Sequence, residues 1–373
     1  MAERDRYERE RVTDAIAELR SLATNRTAIL GVALGLLIVG AIIRILFPDT
    51  IAGTIVSMFD VSFVSMTLVA AVPIVFAALG GIFSEKSGVI NIGLEGLLII
   101  SAFTSVAVTD ALAGSGGASQ SVVWAGFVSG VLASTLFALV FAVIVIKFKA
   151  DQIIAGLAVW LVALGLGPFL SIVIWGSNNS ASVATLTDVT VPMLADVPVV
   201  GPILFDTSPV VLLMLLAVAC VWYVFNYSTF GRWIEASGEN PSALDTAGVE
   251  VNRVRYIAVT LSGVLAGFGG AGLAVGRVGK FIGGGTTMVN GRGWIAITTY
   301  LFGNYNPLGT FGAGFLFAGL NALQIRLQQV PGIEVPTSLI RLVPYVMVIV
   351  VLAFVGYTRI PSQAGEHFES GEE

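Results

Sequence analysis

Few residues in this chain have the types and spacing to act on a small molecule, and what they offer is recognition. One group lies in Ser84-Glu-Lys-Ser-Gly-Val-Ile-Asn-Ile-Gly-Leu-Glu-Gly96, which supplies Asn91 and Glu95. A second lies in Val289-Asn-Gly-Arg-Gly-Trp294, which supplies Asn290, Arg292 and Trp294, with Tyr300 shortly after. Amides and aromatic rings of this kind hydrogen-bond and stack on a neutral sugar or nucleobase. Glu95 and Arg292 could pair across the interior, partly offsetting the burial cost of each, or stay apart. For Glu95 there is a plainer role, as an acid in the first turn of a helix starting near Asn91, where the helix dipole favours it. Trp294 and Tyr300 could equally sit in an interfacial belt. Trp124, Trp160 and Trp175 are read as belt or packing residues.

Catalysis finds no such footing. The single His367 lies in the polar tail and the single Cys220 in an apolar run, so His/Cys nucleophilic sets and His/Cys metal clusters are not expected, and no internal disulfide can form. No catalytic residue, metal or bound cofactor is assigned. A phosphate-binding loop needs Gly-x-x-x-x-Gly-Lys-Ser/Thr. The nearest approach, Gly279-Lys280-Phe281, lacks the upstream glycine and the hydroxyl.

The elements that position these residues belong in a membrane. The 373 residues are 56% hydrophobic and only 12% charged, against roughly 25% charged in a soluble domain, and the mean hydropathy is +0.90. The fold class is an all-α polytopic membrane protein. Its 43 glycines suit helices whose backbones approach closely. Net charge of −5 acts locally through the loops. The 84–96 stretch is polar between apolar runs, and such backbone is tolerated at membrane depth only where protein or a water-filled cavity surrounds it. It is therefore the first place to look for a transport path.

A hydrocarbon core of ~30 Å needs about 20 residues per crossing. Ten segments qualify: 29–47, 63–83, 92–109, 122–146, 152–175, 209–227, 256–276, 293–303, 308–325 and 340–357. The eighth is too short alone, so it either continues upstream through the glycines at 283–293 or stops inside the bundle as a half-helix. Ten passes put both termini on one side. Loops 48–62, 110–121 and 176–208 carry aspartates but no Lys or Arg, which places them outside and both termini in the cytoplasm. Arg277, Lys280, Arg292, Arg326 and Arg341 do not fit as simple loop charges. The Val- and Pro-rich 176–208 stretch reads as a small lid or short strands. Residues 1–28 form a charged cytoplasmic leader with no cleavable-signal pattern, 29–357 the transmembrane domain and 358–373 a polar cytoplasmic tail. The chain also divides into two pseudo-repeated halves, since Ile90-Asn91 leading to Glu95-Gly96 loosely parallels Val289-Asn290 leading to Arg292-Gly293.

The cytoplasmic loop 228–255 holds one further element. Asn240-Pro241 is a strong helix start, Asn as N-cap and Pro at the first position, and Gly248 a natural stop. The short helix would display Leu244 and Asp245, as a connector or as a seat for a cytoplasmic partner.

Three separated motifs then carry a resemblance. Ser87-Gly-Val-Ile-Asn-Ile-Gly-Leu-Glu-Gly96, Glu235-Ala-Ser-Gly-Glu-Asn-Pro241 with Ala247-Gly248, and Gly291-Arg-Gly-Trp-Ile-Ala296 with Phe302-Gly-Asn-Tyr-Asn-Pro-Leu-Gly309 resemble an ABC transporter permease. They are similar to the branched-chain amino acid/ribose permease superfamily, and within it to nucleoside (purine) uptake permeases. The resemblance covers roughly residues 60–357. It implies the membrane subunit of an importer in the cell membrane, in which Glu235, Gly238, Glu239, Asn240, Pro241, Leu244, Asp245 and Gly248 dock a cytoplasmic ABC ATPase that uses the ATP. It also implies an extracellular substrate-binding protein and a second, related permease, in a heterodimer or else a homodimer. Beyond the lipid bilayer no other partner is expected, and no nucleic acid. Sugar or branched-chain amino acid are the other solutes, and an ion-coupled secondary transporter the other class, since broken helices with a buried Glu suit ion coupling.

Overall fold

Apolar runs of crossing length become helices wherever the structure, a computed structural model, describes the chain: residues 40, 46, 50–114, 117–198, 200–329 and 359–369. Helix α1 covers Ile51–Ser57, capped by the Thr50 side chain, which accepts from Gly53 N–H. The spans follow as α2 (Val61–Lys86), α3 (Leu94–Leu112), α4 (Gln120–Ala142), α5 (Gln152–Trp175) and α6 (Pro209–Tyr227). Next come two short helices, α7 (Thr229–Glu239) and α8 (Pro241–Thr246), then α9 (Val251–Leu273), α10 (Arg292–Phe302) and α11 (Pro307–Leu327). Both α4 and α9 run on into a π turn, Val143–Lys147 and Ala274–Val278.

Among the described residues seven helices are long and apolar enough to cross a membrane: α2, α3, α4, α5, α6, α9 and α11, with α4 and α9 counted together with their π turns. They answer the second to seventh and the ninth expected segments. The first and tenth, with the leader and Arg341, fall on or almost wholly on residues outside those described. The eighth settles as a half-helix. Its 11 residues rise about 16 Å at 1.5 Å each, roughly half the hydrocarbon core. Upstream the chain turns through Gly284–Gly291 with Asn290 and Gly291 at positive φ, so no helix continues there. Helix α9 starts five residues earlier than expected, which takes Arg253 and Arg255 out of the loop.

The chain forms two units, Met1–Val64 with Leu320–Tyr357, and Ser65–Gly319 with Thr358–Glu373. In the first, Asp60 caps the start of α2 by accepting from Phe63 N–H at 2.8 Å, and Arg326 pairs with the same carboxylate at 2.9 Å. Arg326 thus joins an acid of the loop expected outside.

In the second unit α3, α4 and α9 pack mutually, with α5 and α10 against α3. Small residues make the contact. A Cβ at Gly126 would lie 2.5 Å from Ser105 O, and one at Gly130 2.6 Å from Ser101 O, so α4 meets α3 backbone to backbone. Serines fasten the third helix: Ser101 donates to Gly267 O at 2.6 Å and Ser134 to Gly263 O at 2.8 Å. Without a hydrophobic drive between helices in lipid, such dispersion and hydrogen bonds hold a bundle together. The crossing window is 83% buried in α2, 72% in α3 and 67% in α9, against 33%, 17% and 33% in α4, α5 and α6. The first three are the core, and the others turn apolar surface outward, as in Leu161, Phe169 and Val173 of α5.

The 176–208 stretch forms short strands, as its pattern predicts. β1 (Val189–Thr190) pairs antiparallel with β2 (Asp206–Thr207). Its first part lies along residues 275–283: Ser180 N–H donates to Phe281 O, Val183 to Gly279 O and Leu186 to Val275 O. Arg277 and Lys280 therefore share a layer with the loop expected outside.

Candidate functional site

The Ser84–Gly96 stretch is a buried connection between α2 and α3, and almost every polar group in it is used. Ser84 donates to Val89 O at 2.7 Å and Ser87 to Ser84 O at 2.6 Å, tightening the turn. Ile90 N–H donates to Oε1 of Gln152, the first residue of α5, at 2.7 Å. Asn91 accepts from Gly93 N–H at 3.0 Å and donates to Ser262 of α9 at 3.2 Å. Four helices thus fix the loop.

Glu95 is 2% exposed, and its partner is another helix. Its Oε1 accepts from Gly291 N–H at 2.7 Å and its Oε2 from Gly293 N–H at 2.6 Å. These amides open α10, whose first N–H groups have no intrahelical acceptor, so a carboxylate from α3 caps the half-helix and meets its positive dipole end. The contact is close, since a Cβ at Gly293 would lie 2.5 Å from Glu95 Cα. Arg292 turns to carbonyls: its Nη1 donates to Met288 O at 3.0 Å and Val289 O at 2.9 Å. Of the two possibilities read from the sequence, a Glu95–Arg292 pair or separate groups, Glu95 takes backbone amides and Arg292 backbone carbonyls.

The remaining path residues lie on both sides of this cap. Asn290 is exposed and accepts from Thr286 at 2.9 Å. Trp294 is half-buried, edge-on to Trp160 with ring centroids 5.6 Å apart. Tyr300 is 2% exposed and packs on α2, where a Cβ at Gly81 would clash with its ring. Beside it lies a residue the sequence reading passed over. Glu85 is buried and accepts from the Tyr305 hydroxyl at 3.0 Å, while its Oε2 has no partner among the described residues. Burial first, then the Glu85 carboxyl, push the Tyr305 hydroxyl above its ordinary value, so it stays a donor. The signal was Glu85 itself, an acid at the end of an apolar run.

On the opposite side of the connection lie α7 and α8. Asn240 caps α8 by accepting from Ala243 N–H at 3.0 Å, Pro241 is its first residue, and Gly248 follows at φ +83. The expected docking residues divide. Glu239, Asn240 and Gly248 are exposed and Asp245 half-buried, but Pro241 is buried and Leu244 only 5% exposed, so Leu244 is an anchor and not a displayed side chain. Glu235 and Gly238 face the α2–α3 connection. Lys86 pairs with Glu235 at 2.5 Å, Ser237 donates to Ser87 O at 2.9 Å, and a Cβ at Gly238 would strike Lys86 O. A cavity of about 250 Å³ opens beside the end of α8, walled by Asp245, Glu250, Asn252 and Phe368 among others.

The geometry joins the short helix pair α7–α8 to a broken helix in the core through one short loop. Comparison with known proteins places it. Residues 63–352 match the family model described as branched-chain amino acid transport system / permease component. The chain is 35% identical over 308 residues to the nucleoside ABC transporter permease protein NupC of Lactococcus lactis subsp. cremoris, covering 82% of this chain and 96% of that one. It is 34% identical over 313 residues to the guanosine ABC transporter permease protein NupQ of Bacillus subtilis, covering 83% and 97%. A sugar relative, the glucose ABC transporter permease protein TsgB13 of Haloferax volcanii, is 28% identical over 275 residues, covering 72% and 70%.

Proposed function

The chain belongs to the family of permease components of branched-chain amino acid transport systems, and on that premise we propose that it imports a neutral nucleoside as the membrane subunit of an ABC importer. The observation that carries the solute class is the Glu95 cap. In transporters a half-helix N-terminus commonly receives an anionic group of the substrate. Here two amides at the start of α10, those of Gly291 and Gly293, are already taken by Glu95. An amino acid carboxylate would have to displace a buried carboxylate, whereas a nucleoside needs only stacking and amide contacts, which Trp294 and Asn290 supply beside the cap. The likeness to the nucleoside and guanosine permeases supports the same solute; the likeness to a glucose permease keeps sugar as the second reading.

Power comes from a separate cytoplasmic ATPase seated on α7–α8, with Glu239, Asn240 and Asp245 at the seat. An external binding protein delivers the solute to the side bearing the 176–208 layer, and a second permease completes the pore. Both termini lie in the cytoplasm in a ten-pass arrangement of two repeated halves, α2–α3 and α9–α10 being the matching breaks.

The test is reconstitution in vesicles. The chain alone accumulates no guanosine, while addition of ATPase, partner permease and binding protein gives ATP-dependent uptake. Accumulation by the lone chain under an ion gradient would overturn the ABC reading. Preference of the assembled system for leucine over guanosine would overturn the reading of the cap.

A further inference from the structure

Arg255, in the second turn of α9, is 3% exposed and has no carboxylate within ion-pair distance among the described residues. Its charge is met by carbonyls from separate segments. Nη1 donates to Glu366 O of the tail at 2.8 Å, and Nη2 to Ser237 O in the last turn of α7 at 3.3 Å. The same Nη2 lies over the α2–α3 connection, where a Cβ at Gly88 would approach it to 2.8 Å. Nε has no partner among the described residues. A buried cation of this kind is costly, and an apolar residue of similar volume is often as stable or more so. What a guanidinium adds is a rigid fork that holds two acceptors at once.

The tail repeats the connection. Gln363 N–H donates to Gly238 O at 2.8 Å, Gly365 N–H to Gly88 O at 3.0 Å, and Ser362 to Glu239 O at 2.8 Å. Residues 362–366 thus lie across the C-terminal end of α7 and the Ser87–Gly88 turn together. The strap lies beyond residue 352, where the family match ends.

We propose that Arg255 and the 362–366 strap form a clasp locking α7 to the α2–α3 connection, making Arg255 a positioning residue for coupling. A displacement of α7 then moves Ser87–Gly88, and through Asn91 and Gly93 reaches Glu95 and the α10 cap. Rigid elements joined in this way carry a movement that a loose loop would absorb. The inference rests on the reading of α7–α8 as the ATPase seat.

The test uses the full permease–ATPase complex in nanodiscs and vesicles, with three variants: a chain lacking residues 359–373, Arg255→Lys, and Glu239→Lys at the seat. Hydrogen exchange at residues 86–93 and 236–240 is compared with guanosine taken up per ATP hydrolysed. Loss of the clasp bonds raises exchange in both segments about tenfold or more in the first two variants, with α3–α4 protection kept. ATPase recovery stays normal in both, and uptake per ATP falls by a similar factor. Lysine does not rescue, because one ammonium cannot replace the fork. Unchanged exchange and unchanged uptake per ATP in both variants overturn the clasp, as does loss of ATPase recovery, which would make the strap part of the seat. Normal ATPase recovery in Glu239→Lys overturns the seat reading instead. Exchange needs no solute, so it decides the clasp whichever solute is carried.

Discussion

Replacing Glu95 by Gln tests the capping geometry directly, because it changes charge and one acceptor while keeping shape. In the native protein two carboxylate oxygens accept from Gly291 and Gly293 N–H at 2.7 and 2.6 Å, inside a site where Glu95 is 2% exposed. Glutamine offers one oxygen and turns an NH2 toward the other amide, leaving a buried donor unmet at a cost of ~1–3 kcal/mol. Loss of the charge at the helix N-terminus adds up to ~2 kcal/mol in a buried setting. A combined cost of about 1–5 kcal/mol corresponds to roughly a 5- to 4,000-fold shift in the equilibrium between capped and released α10. The assay is hydrogen exchange at residues 290–295 in the full chain in nanodiscs, with the α3–α4–α9 core as internal reference. The α10 amides exchange faster by that factor and the core does not. Glu95→Asp, one methylene shorter, reaches only one amide and falls between. Exchange within about threefold of wild type in Glu95→Gln would refute the claim that the carboxylate holds the half-helix.

The other predictions bear on packing, the seat and the path. Gly126→Leu forces α3 and α4 apart, because even a Cβ meets Ser105 O at 2.5 Å; overpacking of about 1–3 kcal/mol or more appears as a lowered melting temperature, and an unchanged one refutes the close contact. Lys86→Ala costs only about 0–1 kcal/mol in stability, since Glu235 is 42% exposed; the double exchange Lys86→Glu, Glu235→Lys restores most of the loss in a mutant cycle, and strict additivity of the single changes speaks against the pair. Asn240→Ala removes the α8 cap at about 1 kcal/mol and weakens ATPase co-purification, whereas Asp245→Lys weakens it through charge, and normal recovery of both variants argues against the seat. Trp294→Ala loses an aromatic pair worth ~0.5–1.5 kcal/mol with Trp160 and lowers guanosine uptake more than complex recovery; equal losses make Trp294 a packing residue only.

Much of this fold was legible in one dimension because membrane helices are written in composition. Apolar runs of crossing length give the spans without knowledge of what they pack against, since every backbone polar group must be satisfied within its own helix in lipid. Local chemistry was legible too. Asn240 followed by Pro241 is a helix start whatever surrounds it, whereas the glycines at 283–293 left open whether the eighth segment continued upstream, and the turn with Asn290 and Gly291 at positive φ decided it. The polarity of 84–96 marked it as unsuited to lipid and as surrounded by protein or a water-filled cavity; the structure places it among protein.

Partners separated along the chain were not legible. Glu95 read equally as a cap for its own helix or a mate for Arg292, and only the docking of α10 against α3 gave its carboxylate to amides almost two hundred residues away. Arg255 looked like a loop charge on the cytoplasmic side, and became a buried fork once α7, the α2–α3 turn and the tail met around it. Gly238 read as part of an exposed docking motif, yet its lack of a side chain serves the contact with Lys86 O. The physical reason is common to all three. In helices apolar all round, composition does not say which face meets which neighbour, and small residues mark that a contact exists without naming its partner. What the sequence determines alone is where the chain crosses and where it breaks; which broken end is capped, and which loop packs against it, is decided when the helices come together.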